Sequence, residues 1–571
     1  MTNYAADLPN RKATSQSEQA DPRQVENSAG GFVFAVDDWS RLERWLILGA
    51  EGGSYYASQK AMTLDSASVV KRCLDVDGPR TVKTIVSVST SGRAPKNDPA
   101  IFALALAAAH TSPAVRALAL ASLANVCRTG THLFTFVASA NATRGWGRGL
   151  RRAIRDWYAN RSADSLAMQV AKYQQRDGWS HRDLLRLSHA TATDQVKKAV
   201  LRWAVTGNTG ARTVRLGKHA TSPTKEWPAL DAALPRVIVG LERLRDDAGL
   251  TPAQAAQIIV DHGLTHEMVP SAYLAHAAVW EGLLSANMPL GALTRNLARM
   301  TANGLLQSGA AASKGVAARL VDGADIKRAR LHPVSVLTAL KTYASGRGSK
   351  GSLTWAPVPK ILDALDDAFY LAFGAVEPVG KPVMLALDVS GSMAGAMIAG
   401  SPLTAREASA AMAMVTARVE PDYDLVGFAA GAGGGYGGQW GGTCRLVPLG
   451  ITAKTALPDV VKAMEAIPMG ATDCALPMLH ALERSQKVDG FVVYTDSETW
   501  HGAVHPYQAL RKYRAETGQA AKLAVVATSA TAFTIADPTD GGMMDVVGFD
   551  TAAPTVIADF LRGRSAEGPI D

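Results

Sequence analysis

The sequence predicts a multidomain α plus α/β protein, a long α-solenoid followed by a doubly wound α/β domain. Three observations predict it. The chain has 571 residues, and single hydrophobic cores rarely grow past about 250–300 residues. From Phe32 to about Phe373, helix-length apolar runs follow one another, separated by short breaks of Gly, Pro, Asn or Ser. Beyond the linker Glu377-Pro378-Val379-Gly380-Lys381-Pro382, strand-length apolar runs alternate with helical stretches. That alternation is the pattern of a parallel sheet with helices on both faces.

In chain order, Met1–Gly30 is polar, rich in Ser, Asn, Gln and Asp, and lacks an apolar core. Residues 1–29 therefore read as a disordered leader and not as a signal peptide. Residues 30–375 form the helical part. Ala100–His110 and Pro113–Cys127 are apolar runs split by Thr111-Ser112-Pro113, with Ser112 as N-cap and Pro113 at the first helical position. Ser162–Gln175, His181–Ser188, Ala192–Thr206, Thr251–His262 and Pro289–Ala302 follow as further helices. No fixed period recurs, so the repeats are irregular; such stacks present extended curved surfaces to macromolecules. Residues 376–571 form the α/β part. Its strands are Val383–Leu387, Leu425–Ala429, Phe491–Thr495 and Leu523–Thr528, with helices at Thr404–Val419, Leu457–Ile467 and Pro506–Glu516. Gly427–Gly442 is glycine-dense and reads as a surface loop without the strand, helix and distal acid of a dinucleotide site.

Composition removes several function classes. A hydrophobic fraction of 47% with 19% charged residues is ordinary for a globular protein, and no 18-residue apolar run exists to cross a membrane. Cys73, Cys127, Cys444 and Cys474 show no C-x-x-C spacing, which argues for free thiols in a reducing cytoplasm and against zinc or a disulfide framework. The net charge of +8 hides a division. Arg144–Lys218 carries 16 Lys/Arg against 5 Asp/Glu, whereas Gly380–Asp571 carries 14 against 20. Cationic charge concentrated on one module is the footprint of a polyanion partner, most often nucleic acid, although ordinary solvated helices also carry such charge.

Within the basic segment, the stretch Lys172–His189, which runs Lys172-Tyr173-Gln174-Gln175-Arg176-Asp177-Gly178-Trp179-Ser180-His181-Arg182-Asp183 and on to Arg186 and His189, is the densest piece. Lys172 and Arg176 are four apart and share a face if helical. Asp177-Gly178 would end that helix, and Ser180 with Asp183 forms a capping box for the next. There Leu184, Leu185 and Leu187 face the core, while Arg182, Arg186 and His189 face outward. Arg offers a planar fork for phosphate, and His a hydrogen bond or a stacking surface for an unpaired base. Trp146, Trp157, Tyr158, Tyr173, Trp179 and Trp203 interleave with these cations; buried ones serve the core and exposed ones suit base stacking.

The α/β part carries a second constellation. The strand Val383–Leu387 runs into Asp388-Val389-Ser390-Gly391-Ser392, which offers one carboxylate and two hydroxyls around a permissive glycine. Gly470-Ala471-Thr472-Asp473 adds a hydroxyl, and Phe491–Thr495 ends at Asp496. Ligands of open α/β sheets sit outside the carboxyl ends of strands, and such oxygen donors suit a hard divalent cation, Mg²⁺ in particular. The same residues would also serve as loop caps. In their order, Asp388, Ser390, Ser392, Thr472 and Asp496 resemble the metal-ion-dependent adhesion site of von Willebrand factor A (vWA) domains. Ser390 lies in no G-x-S-x-G elbow, and hydroxyls outnumber carboxylates, so hydrolase and two-metal nuclease readings are weak and no enzyme is expected.

Longer strings extend the resemblance. Gly30-Gly31-Phe32-Val33, Arg41-Leu42-Glu43-Arg44-Trp45-Leu46 and Gly49–Tyr56 are similar to the opening of a TROVE domain. Gly178–His189, Pro289–Leu297 and Leu331-His332-Pro333-Val334-Ser335 continue the likeness, and Thr472–Met478 and Phe533–Pro538 carry it to the C-terminal part. After about residue 30 the whole chain resembles the Ro ribonucleoprotein family, and its Ala, Gly and Arg content points to a bacterial member. The resemblance implies a monomeric ring of HEAT-like helical repeats closed by a vWA domain. It implies Y-like small noncoding RNA on a basic outer face, at positions matching Lys172, Arg176 and His189, with Arg182 and Arg186 alongside. It further implies that single-stranded 3′ ends of misfolded RNA enter the ring, in noncoding-RNA quality control with an exoribonuclease as a further partner, and no DNA. After Ser188-His189 the family's commoner Lys-Pro is replaced by Ala190-Thr191, which removes one cation and a rigid turn beside that contact. The alternative is a metal-dependent protein-interaction scaffold built on the vWA part.

Overall fold

A computed structural model describes residues 13–48, 59–207, 232–247, 249–348, 351–374, 376–398, 402–430, 444–447, 449–467 and 470–564. Residues 13–29 are not a disordered leader. Strand β1 (Gln24–Glu26) pairs antiparallel with β2 (Phe32–Ala35), and β2 pairs on its other edge with Phe533–Thr534 from the far end of the chain. The polarity of this segment serves cross-chain hydrogen bonds instead of solvation. Gln16 is buried and donates to Asp473 Oδ1 at 2.7 Å and to the Val504 carbonyl at 2.8 Å. Asn27 donates to the carbonyls of Thr499 (2.9 Å) and Ser497 (3.2 Å). Residues 1–12 lie outside the described set.

Helices then succeed one another from Asp38–Leu48 to Pro359–Leu371, each packed on its neighbours. Ser112 and Pro113 do open a helix, but it breaks at Ser122 into Pro113–Ala121 and Leu123–Val126. The helix expected over Ser162–Gln175 ends at Lys172. There Gln175–Arg176 (β3) folds back on Trp179–Ser180 (β4). Asp177 and Gly178 have φ of 53° and 79°, the turn chemistry of a two-residue hairpin loop and not of a helix end. Lys172 and Arg176 therefore do not share a helix face. The capping box of Ser180 and Asp183 is present on the helix His181–Ser188. Leu187, expected in the core, is 37% exposed.

The helical array doubles back on itself. His332, N-cap of the helix Pro333–Ala344, accepts from the Val334 N–H and donates through Nε2 to the Arg93 carbonyl at 3.0 Å, 239 positions away. Both ends of the array also rest on the α/β domain. At the first end, fully buried Arg44 donates to the carbonyls of Thr531 (2.7 Å) and Phe533 (3.0 Å) and pairs with Asp545. Arg93 pairs with Asp550 at 2.6 Å. At the other end, Lys341 meets Glu407 at 2.6 Å, and Asp366 accepts from the Leu457 N–H at 2.7 Å.

The α/β domain holds β5 (Val383–Asp388), β6 (Tyr423–Ala430), β7 (Cys444–Val447), β8 (Gly490–Thr495), β9 (Lys522–Ala527), β10 (Phe533–Thr534) and β11 (Met543–Val547). The main sheet runs β11-β9-β8-β5-β6-β7, parallel except for β7 against β6. Of the glycine-rich stretch, Gly427–Ala430 ends β6 and residues 431–442 lie outside the described set, as do Gly49–Tyr56 of the matched strings and Arg212, Arg215 and Lys218 of the basic segment. β5 and β8 are buried on both faces, so the chain reads as continuous apolar runs there. The order reverses at β5, which lies between β6 and β8. That switch point is where open α/β sheets gather ligands.

Candidate functional site

Asp388 closes β5 at the switch point, and Asp496 follows β8 beside it. Asp388 is tied on both oxygens. Its Oδ1 accepts from the Ser390 N–H at 2.9 Å and its Oδ2 from the Thr495 hydroxyl at 2.7 Å. Ser390 and Ser392 place their hydroxyl oxygens 3.0 Å apart. The loop between them is held from behind by buried Arg406, which donates to the carbonyls of Val389 (2.6 Å), Ser390 (3.0 Å) and Ile467 (2.7 Å). The loop bearing Thr472 is stitched to both neighbours, because Gly391 N–H donates to the Gly470 carbonyl at 3.2 Å and Trp500 N–H to the Thr472 carbonyl at 3.2 Å. Asp388, Ser390, Ser392, Thr472 and Asp496 are all buried. The sequence-predicted donors thus lie on three loops joined to one another at the carboxyl ends of β5 and β8.

Carboxylate charge is buried at these loops. Asp496 accepts from Glu498 N–H on Oδ1 at 3.0 Å, but its Oδ2 is buried with no hydrogen-bond partner. Burial pushes the Asp388 carboxyl above its ordinary range, and burial, then the charges of Asp388 and Glu498, push Asp496 well above it. Two carboxylates destabilised by desolvation and mutual repulsion would be relieved by a positive ion between them. Together with the hydroxyls of Ser390, Ser392 and Thr472, these two carboxylates would make an all-oxygen donor set, which suits a hard divalent ion. Asp473, the third acid that a two-metal nuclease would recruit, turns away to Gln16 and the Ala475 N–H. Arg406 and the Gln16–Asn27 strap were not readable in sequence as parts of this site, whereas Thr495 stood one residue before Asp496.

The basic segment folds into an outward strip. Arg176, on the hairpin, is 53% exposed and held only loosely by Asp177 at 3.8 Å. Lys172 is more confined: it meets Glu267 at 3.2 Å and lies over the Tyr173 ring, with 12% side-chain exposure. The hairpin feeds the N-terminus of the helix His181–Ser188, and exposed His189 ends it in the left-handed region, φ 53°. Eight helical residues span about 12 Å, so Arg176 and His189 mark two ends of a strip and not one cluster. Arg186 is exposed between them and Arg182 half-buried. Sequence reasoning missed the neighbouring helix Arg148–Ala159. Its Arg148, Arg152 and Arg155 are exposed, and Arg155 donates to the Ser188 carbonyl at 3.2 Å, next to His189. Their spacing of four and three is a helix-face signal. Of the interleaved aromatics, Trp157, Tyr158 and Trp203 are core, and Trp146, Tyr173 and Trp179 are half-buried.

Comparison with known proteins agrees with both halves. The TROVE domain model matches residues 25–225 and 257–342, and the Ro60 vWA domain model matches residues 382–561. The chain belongs to the Ro protein family. Among its relatives, the RNA-binding protein RO60 of Deinococcus radiodurans is 42% identical over 553 residues, covering 96% of this chain and 97% of that one. The RNA-binding protein RO60 of Caenorhabditis elegans is 36% identical over 611 residues, covering 97% and 92%. The crystal structure of the Deinococcus radiodurans Ro (RSR) protein superposes with a TM-score of 0.66 at 40% identity, over 92% of this chain and 100% of that one. These relatives carry the names of RNA-binding proteins and not of enzymes. The fold of this Ro-family chain is the expected helical array joined to a vWA domain. Among the described residues, no helix is long and apolar enough to cross a membrane.

Proposed function

We propose that this Ro-family protein is the RNA-binding component of a ribonucleoprotein and acts without catalysing a reaction. The observation that carries this reading is the exposed strip formed by Arg148, Arg152, Arg155, Arg176, Arg186 and His189 on two packed helices and a hairpin. Arg forks of this density suit the phosphates of a structured small RNA, with His189 available to an unpaired base. The partner is a Y-like small noncoding RNA on this outer face. Lys172 contributes charge from the edge, already shared with Glu267. Single-stranded 3′ ends of misfolded RNA enter the ring, and an exoribonuclease acts on them in noncoding-RNA quality control. The protein works as a monomer in the cytoplasm.

The buried unpartnered oxygen of Asp496 supports a second activity in the same molecule. Asp388, Ser390, Ser392, Thr472 and Asp496 would hold Mg²⁺, which when bound supplies a positive centre able to take an acidic oxygen from a partner protein. The experiment is purification from the native host in low salt, followed by sequencing of the RNA that accompanies the protein. A discrete small RNA, lost when Lys172, Arg176 and His189 are replaced, is expected. Absence of any enriched RNA would transfer the weight to the metal-dependent interaction scaffold.

A further inference from the structure

The RNA-binding reading assigns phosphates to the cations but leaves one feature beside them without a role. Trp146, just before the helix Arg148–Ala159, and Trp179, on β4, meet at a ring-centroid distance of 5.7 Å and an interplanar angle of 44°. Both remain half-buried. Each is held in place by its surroundings. Trp179 lies directly across the hairpin from Arg176. The tip of that hairpin is pinned by the Thr135 hydroxyl, which donates to Asp177 Oδ2 at 2.7 Å. Trp146 sits between the helix Gly130–Thr143 and the helix Arg148–Ala159, two residues before exposed Arg148. The hairpin packs on that same helix Gly130–Thr143. Each ring of the pair thus has an exposed arginine close by in the chain or across the hairpin, Arg148 two residues after Trp146 and Arg176 opposite Trp179.

We infer that Trp146 and Trp179 form a stacking platform for one unpaired nucleobase of the bound RNA, with Arg176 and Arg148 taking the phosphates on either side. Charge complementarity selects this occupant. An apolar peptide would leave both guanidinium groups unanswered, whereas a nucleotide supplies a π-face and flanking anions together. Every base has such a face, so the platform recognises the unpaired state and not the base identity. It rests on the RNA-binding reading and adds to it a preference for a bulged or looped nucleotide over continuous duplex.

The test uses the full chain and two probes, a blunt 16-base-pair RNA duplex and the same duplex with a single bulged 2-aminopurine. Wild type is expected to bind the bulged probe about tenfold more tightly than the blunt one, a preference in the range of one base–aromatic stack, and to quench its fluorescence. Trp146→Leu with Trp179→Leu is expected to erase the preference and the quenching while leaving blunt-duplex affinity unchanged. Trp146→Tyr with Trp179→Phe keeps both rings and is expected to retain both signals, which separates stacking from misfolding. Equal affinity of wild type for the two probes, without quenching, would overturn the platform while leaving RNA binding intact. Failure of wild type to bind either probe would overturn both.

Discussion

The link that closes the helical array contains a titratable group whose protonation state is fixed by its partners. His332 Nδ1 accepts from Val334 N–H, so Nε2 must carry the proton it donates to the Arg93 carbonyl. The imidazole is therefore neutral, and burial pushes its pKa from the ordinary 6.5 down to about 4. A proton added at Nδ1 would face the Val334 N–H and remove the cap. A His with a depressed folded-state pKa contributes stability that is complete above its unfolded value and is lost as pH falls toward the folded value. The window is therefore pH 6.5 down to 4. About 2.5 pH units, at about 1.4 kcal/mol each, gives a loss of about 3 kcal/mol. His332→Asn keeps an N-cap oxygen, is too short to reach Arg93 and does not titrate. At pH 7.5 it should cost about 1–3 kcal/mol, the penalty of a buried carbonyl left without its donor. Urea unfolding of both proteins at half-unit steps from pH 7.5 to 4.5 measures the difference. Wild type should lose stability faster than the variant, so that the gap narrows through the window. Parallel curves would refute the assignment of this pH dependence to the closing histidine.

Three further outcomes follow from the geometry. Arg44→Met removes a buried guanidinium and leaves Asp545 unpaired, so unfolding free energy should fall by about 3–5 kcal/mol; a change under 1 kcal/mol in denaturant titration would contradict the anchoring role. Saturating Mg²⁺ at about 100 times its dissociation constant should stabilise wild type by about 2.7 kcal/mol and leave Asp496→Asn nearly unmoved in thermal scans, whereas equal responses would place the ion elsewhere. Replacing Arg148, Arg152 and Arg155 by Ala should lower the slope of log affinity against log salt by about 2, near 0.7–0.9 per lost phosphate contact. An unchanged slope would exclude that helix from the RNA path.

The inner strands were legible because burial on both faces leaves nothing but apolar residues, as in Val383–Leu387 and Phe491–Thr495. The buried carboxylates Asp388 and Asp496 were legible for the same reason, since a carboxylate at the end of such a strand has no solvent to explain it. The edge strand Met543–Val547 is half-exposed and shows no comparable run. The hairpin was misread because four-residue spacing of Lys172 and Arg176 imitates a helix face, and two-residue strands are too short to display their own period. The polar N-terminal segment was misread because composition does not distinguish side chains that face water from those, like Gln16 and Asn27, that bond a distant loop. The charged face Arg148–Arg155 had a readable spacing, but charge density alone drew attention to the denser hairpin region.

The small sheet joining Phe32–Ala35 to Phe533–Thr534 sets a schedule for biosynthesis. Val33 and Phe34, nearly fully buried in the finished protein, leave the ribosome well before the C-terminal strand of the small sheet is made. The strand that pairs with them is about 500 residues away, and at roughly 5–20 residues per second it emerges about 25–100 s later. Throughout that interval β2 has only β1 beside it, and the domain that closes the array is incomplete. The segment that carries β2 is therefore made early and placed late, and a ribosome that stalls before Phe533 would leave the helical array without the strand that pairs with the outer edge of β2.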